Sequence, residues 1–152
     1  MTYEELLKHA DSTGVIVKEK SIPGYSGRIY KNRIAIRNGI ETQAEKSCVL
    51  AEELGHYFTS YGDIMNQGEA VNRKQEYRAR LYGYNLRIGL QGLIRAYEYG
   101  CQSKHDISDY LNVSEKYLQD AIDCYSRKYG LYTCVDNYII YFAPNLGVMK
   151  LN

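Results

Sequence analysis

The chain has almost no net charge. Its 152 residues hold 19 Lys and Arg against 18 Asp and Glu, a formal +1. That balance gives no general affinity for nucleic acid or an anionic membrane. No apolar run is long enough to cross a bilayer, and the opening T-Y-E-E-L-L-K-H lacks the apolar stretch of a signal peptide. The four cysteines, Cys48, Cys101, Cys124 and Cys134, include no C-x-x-C pair, which argues against a cysteine zinc site. Reduced core cysteines and a cytoplasmic location are expected instead. Tryptophan is absent, and the aromatic content is dominated by 17 tyrosines. With 45% hydrophobic and 24% charged residues, the composition is that of an ordinary globular chain with a core of its own.

The stretch from Ser47 to Ile64 reads S-C-V-L-A-E-E-L-G-H-Y-F-T-S-Y-G-D-I. Thr42 and Glu45 form a capping box, so a helix is expected from about Thr42 to Thr59. Glu52 and His56 are one turn apart and share a face, with Glu53 beside them. Cys48, Leu50, Ala51, Leu54, Gly55 and Phe58 make an apolar surround. Two carboxylates and an imidazole facing such a core cost free energy unless paired, hydrogen-bonded or metal-bound. The spacing is that of H-E-x-x-H, in which two side chains one turn apart hold zinc and the intervening Glu is the general base. Here Glu52 replaces the first His. A solvated acidic helix edge with one satisfied His is the competing interpretation. Gly55, costly inside a helix, marks a close approach by another backbone.

A second helix is expected over about Ala70 to Ile88. Glu76, Ala79, Gly83 and Leu86 share one face, and the small Ala79 and Gly83 allow a near neighbour. An antiparallel partner to the first helix would then present Glu76 as a third metal ligand. An ordinary i,i+4 pair with Arg80 is the alternative. Asp63 is a spare carboxylate, with capping of the Tyr61-Gly62 turn as its other role.

Upstream, Thr2 and Glu5 cap a short helix that ends before Gly14. Val15 to Lys18 reads as a strand. Arg28 to Tyr30 and Arg33 to Ile36 flank Lys31-Asn32 as a hairpin. A small antiparallel sheet beside the motif helix is expected, in the arrangement zinc peptidases use to hold an extended substrate strand. Downstream, Gly89 to Gly100 encloses a helix. Ser103 and Ser114 cap two more, the latter running from Glu115 to Lys128. Leu131 to Val135 and Tyr138 to Phe142 flank Asp136-Asn137 as a second hairpin. Helix, turn, helix, hairpin is the layout of a winged helix-turn-helix. The second helix, however, balances Lys116, Arg127 and Lys128 against Glu115, Asp120 and Asp123, so specific nucleic-acid binding is not expected. His9 and His105 are expected at the surface. The fold class is α+β. A metallopeptidase-like core is expected over 1–100, with a helix-turn-helix-like plus hairpin subdomain over 101–152.

The runs C-V-L-A-E-E-L-G-H-Y-F, G-D-I and N-R-K-Q-E-Y-R-A-R resemble the ImmA/IrrE family of metallo-endopeptidases, found in bacteria and on phages and mobile elements. The resemblance covers roughly residues 15 to 100. It implies that Glu53 is the general base, His56 the second His ligand and Glu76 the downstream ligand. Glu52 stands at the first His, where phage-type members also carry E-E-L-G-H. The implied activity is cleavage of a partner regulatory protein such as a phage or mobile-element repressor. Zinc is the implied cofactor. Two carboxylate ligands would favour harder ions such as Mn²⁺ relative to zinc, so Mn²⁺ or another divalent ion is the alternative. A fold that has lost its catalysis and acts as a protein-binding regulator is the competing class.

Overall fold

A computed structural model describes residues 1–60 and 69–152. The chain is α+β and divides into two compact units, Met1–Arg87 and Ile88–Asn152. No helix among the described residues is long and apolar enough to cross a membrane.

In the first unit, α1 spans Tyr3–Ser12, and the Thr2 hydroxyl accepts from the Glu5 N–H at 3.2 Å. Three strands follow: β1 (Ile16–Lys20), β2 (Gly27–Tyr30) and β3 (Arg33–Arg37). The Lys31-Asn32 turn joins β2 to β3, with Lys31 at φ +53°. The sheet order is β1-β3-β2, and β1 runs parallel to β3. The expected antiparallel sheet is therefore mixed. The reason lies in burial: Ile34 and Ile36 are 1% and 0% exposed, and so apolar a strand takes the centre. The charged I-V-K-E-K goes to an edge, where exposed charge is tolerated.

Helix α2 spans Gln43–Thr59, capped by Thr42, whose hydroxyl accepts from the Glu45 N–H at 3.1 Å. It buries Ser47, Leu50, Ala51, Leu54 and Gly55, a stripe at helical spacing. Leu50 and Leu54 join Leu6, Ala10, Ile34 and Ile36 in the core of this unit. Helix α3 spans Glu69–Arg87 and packs on α2 through small residues. A Cβ added at Gly55 would lie 2.1 Å from the Ala79 carbonyl oxygen, and one at Gly83 would lie 2.9 Å from the Ala51 oxygen. The expected close backbone approach is thus between α2 and α3. Near the far end of the pair, the buried Arg87 Nε donates to Ser47 Oγ at 2.8 Å.

The second unit holds α4 (Gly89–Tyr99), α5 (Lys104–Leu111), α6 (Glu115–Tyr129) and a sheet of β4 (Tyr132–Val135), β5 (Tyr138–Tyr141) and β6 (Gly147–Lys150). All its pairings are antiparallel, in the order β4-β5-β6. The unit begins at Ile88, so α4 packs with α5 and this sheet, whereas the expected boundary lay at residue 100. The third strand was not expected, because no two-residue turn joins G-V-M-K to β5 in the way that Asp136-Asn137 joins β4 to β5. Asn112, at φ +56°, turns the chain between α5 and α6, and Ser114 Oγ accepts from the Tyr117 N–H. Leu118, Ala121, Ile122 and Tyr125 form the buried face of α6, as the spacing predicts.

Two histidines and a cysteine depart from expectation or refine it. His9 is half-buried, its ring 6.0 Å from that of Phe58. A core aromatic at the end of α2 draws it in. Cys124 is buried, but Cys134 is exposed because it points outward from the edge strand β4. All four cysteines are free thiols. His105 is exposed as expected. Its Nδ1 lies 2.8 Å from Glu115 Oε1 and its Nε2 lies 3.3 Å from Asp109 Oδ2. The hydrogen bond to Glu115 and the charge of Asp109 raise the His105 pKa above its ordinary value of 6.5. A raised folded-state pKa means this stabilisation is complete below the ordinary histidine value and is lost as pH rises through the shifted one. His105→Gln therefore flattens the pH dependence of the melting temperature on the alkaline side of about 6.5. Parallel melting curves of parent and variant check this. Identical profiles contradict it.

Candidate metal centre

The site stands on the α2–α3 pair. Because Gly55 and Gly83 let the two backbones nearly touch, side chains at the rim of the contact reach one another directly. Glu52 and His56 project from the flank of the buried α2 stripe, and Glu76 projects from α3. Each offers one ligand atom, and these atoms lie within 4.8 Å of one another. His56 Nε2 is 3.6 Å from Glu76 Oε2. Ligands bound at the usual zinc distances in a tetrahedron are separated by about 3.4 Å, so the pair needs little adjustment to share an ion. The donor set of one imidazole and two carboxylates suits a divalent cation, and its two charges balance the ion's.

The expected arrangement is corrected in one respect. Glu52, Glu53 and His56 were expected to face a core, yet Glu52 is exposed, and Glu53 and His56 are half-buried, as is Glu76 on the neighbouring helix. Core-facing positions on α2 are Ser47, Leu50, Ala51, Leu54 and Gly55, and Glu52 is one residue round the turn from Ala51. The expected i,i+4 pair is present too: Arg80 Nε donates to Glu76 Oε1 at 3.1 Å. That contact occupies one carboxylate oxygen and leaves Oε2 directed to His56.

Glu53 is the carboxylate withdrawn from water. Burial, then the charges of Glu52 and Glu76, push its pKa up to about 7. Its side chain lies across the backbone of β2. A Cβ at Gly27 would meet Glu53 Cγ at 2.8 Å and Oε1 at 2.9 Å. Gly27, immediately ahead of the strand expected from Arg28 to Tyr30, is thus a further residue of the site. Its signal was there, since a glycine leading directly into a strand marks a close approach. Asp63 and the Tyr61-Gly62 turn lie outside the described residues.

No protein-family profile, curated protein or solved structure matches the chain.

Proposed function

We propose that the chain is a metal-dependent endopeptidase of the ImmA/IrrE kind, acting on a partner regulatory protein such as a phage or mobile-element repressor. The observation that carries this reading is the convergence of Glu52, His56 and Glu76 within 4.8 Å, with the half-buried Glu53 beside them. Glu52, His56 and Glu76 would hold a divalent ion, zinc or Mn²⁺. Such an ion supplies Lewis acidity to a scissile carbonyl and makes water a stronger acid. Glu53 takes a proton from the attacking water and returns it to the leaving amine. Among the described residues, strand β2 pairs only with β3, and it passes next to Glu53. An extended substrate segment adding to that edge would lie beside the base.

A second reading is a non-enzymatic, protein-binding regulator of the same fold. It is favoured by the exposed Glu52 at the first-His position and by the Arg80 contact that already satisfies one Glu76 oxygen.

Calorimetric titration of zinc into parent protein and Glu52→His separates the two. Imidazole is the better ligand for a borderline-soft ion, so the variant binds zinc at least about tenfold more tightly. One negative charge fewer in the donor set also makes hydrolysis faster near neutral pH. If Glu52 serves only as a solvated helix residue, neither protein takes up zinc and stability changes by no more than about 0.5 kcal/mol. Negligible zinc binding in both removes the central support of the peptidase reading.

A further inference from the structure

The pairing register of the first sheet sorts its side chains cleanly between two faces. The inner face carries Val17, Ile29, Ile34 and Ile36 toward α1 and α2. The outer face has three rows: Ile16, Arg33 and Tyr30; Lys18, Ala35 and Arg28; Lys20, Arg37 and Ser26. Five of these positions are cations, and none is acidic. The only acidic residue in the three strands, Glu19, belongs to the opposite face, where it pairs with Lys46 and accepts from Tyr3. Lys18, Lys20, Arg28, Arg33 and Arg37 are all exposed, and among the described residues no ion pair engages any of them. In a chain of net charge +1, this face concentrates positive charge that the remainder offsets.

Two tyrosines extend the surface. Tyr30 is 70% exposed on the face itself, with Lys31 Nζ 5.5 Å from its ring. Tyr25 is 50% exposed in the preceding loop, and the Arg28 guanidinium lies 4.5 Å over its ring. A depression of about 460 Å³ on this face is lined by Lys18, Lys20, Arg28, Tyr30 and Arg33 among others.

We propose that this outer sheet face binds single-stranded nucleic acid, its cations engaging phosphates and Tyr30 and Tyr25 stacking bases. Unpaired cations spaced by the strand separation and the two-residue repeat form a grid that a polyanion neutralises and that otherwise repels itself. Exposed rings beside cations favour a nucleic acid over an acidic peptide, since every base has a face to stack and a carboxylate has none. An open sheet also suits a splayed strand better than a duplex, whose grooves call for a protruding helix or ribbon. This proposal is independent of the peptidase reading, and it is compatible with an α6 surface poor in free cations.

The test is fluorescence anisotropy of a labelled oligothymidylate with the full chain across a salt series. The parent binds, and its affinity falls with salt. The combined Lys18→Ala, Arg33→Ala and Arg37→Ala variant binds about 10²-fold more weakly at 0.1 M salt, and its log–log salt slope is smaller by about 2. Tyr30→Ala weakens binding about tenfold and leaves the slope unchanged. Photo-crosslinking of a 4-thiothymidine strand to the parent provides a readout independent of any variant's folding, with adducts expected on β1, β2, β3 or Tyr25. The proposal is overturned if the parent does not bind the strand, or if the triple variant binds as the parent does. It is equally overturned if a matched duplex, polyglutamate or anionic vesicles compete as well as the oligonucleotide, or if adducts map to residues 88–152.

Discussion

If the chain is the metal-dependent peptidase proposed above, Glu53→Gln lowers hydrolysis of its protein substrate by about 10² to 10⁴-fold and leaves binding of the proposed metal intact. Glutamine keeps the shape and hydrogen-bonding reach of the side chain that lies against Gly27, but it cannot accept a proton. A second signature accompanies the first. In metal-free protein, the Glu53 carboxyl has a pKa of about 7 in the folded state against an ordinary 4.5. Its contribution to stability is fully present below pH 4.5 and is lost as pH rises through 7. Glutamine carries no such penalty, so the metal-free variant is more stable than the parent above neutrality, by about 2–3 kcal/mol. Denaturant titrations with chelator at acidic and alkaline pH measure this, and a cleavage assay with metal measures the first effect. Undiminished cleavage by the variant rules out Glu53 as the base. An unchanged stability difference across pH rules out its buried, perturbed state.

Gly55→Ala has the largest expected effect on stability. The new methyl carbon would lie 2.1 Å from the Ala79 carbonyl oxygen, a distance no packed pair of atoms tolerates, and the neighbour is backbone. The two helices must move apart, at a cost of about 3 kcal/mol or more. That is a large part of the about 5–15 kcal/mol that stabilises a typical domain. Separation of α2 from α3 also draws Glu76 away from His56, so affinity for the proposed metal is expected to fall together with stability. Gly83→Ala is the graded comparison, with a contact of 2.9 Å to Ala51 and a smaller expected loss. Urea midpoints of the three proteins establish the order. Equal midpoints for parent and Gly55→Ala would show that the helices are not in backbone contact.

Local signals in the sequence located most elements. The capping boxes at Thr2 and Thr42 and the serine caps at Ser103 and Ser114 mark helix starts, because each hydroxyl satisfies a free backbone N–H nearby in sequence. Two glycines and an alanine on α2 and α3 announced their close packing. The one-turn spacing of Glu52 and His56, with Glu76 on the next helix, brought the ligand candidates together. Properties decided by distant parts of the chain were not legible. The parallel pairing of β1 with β3 depends on which strand is buried deepest, a comparison among three segments. The exposure of Glu52 depends on which stripe of α2 the sheet and α3 cover. The role of Gly27 depends on a helix side chain that reaches a strand across the core. The basic sheet face was hidden by overall neutrality, since a count of charges carries no information about which of them share a surface.

The central place of β3 sets an order of assembly. The β2–β3 hairpin closes through a two-residue turn, with Lys31 already in the left-handed conformation the turn needs. The β1–β3 pairing is the less local of the two, so β1 is expected to join its parallel partner across the connecting loop after the hairpin forms. Loop closure is paid before the parallel contacts form, so the hairpin is expected in the folding transition state and β1 is expected to dock late, which φ-values at Lys31 and Val17 would measure. Substitutions in the Lys31-Asn32 turn then alter chiefly the folding rate. Substitutions on the β1 side of the β1–β3 ladder alter chiefly the rate of unfolding, and with it the lifetime of the native sheet.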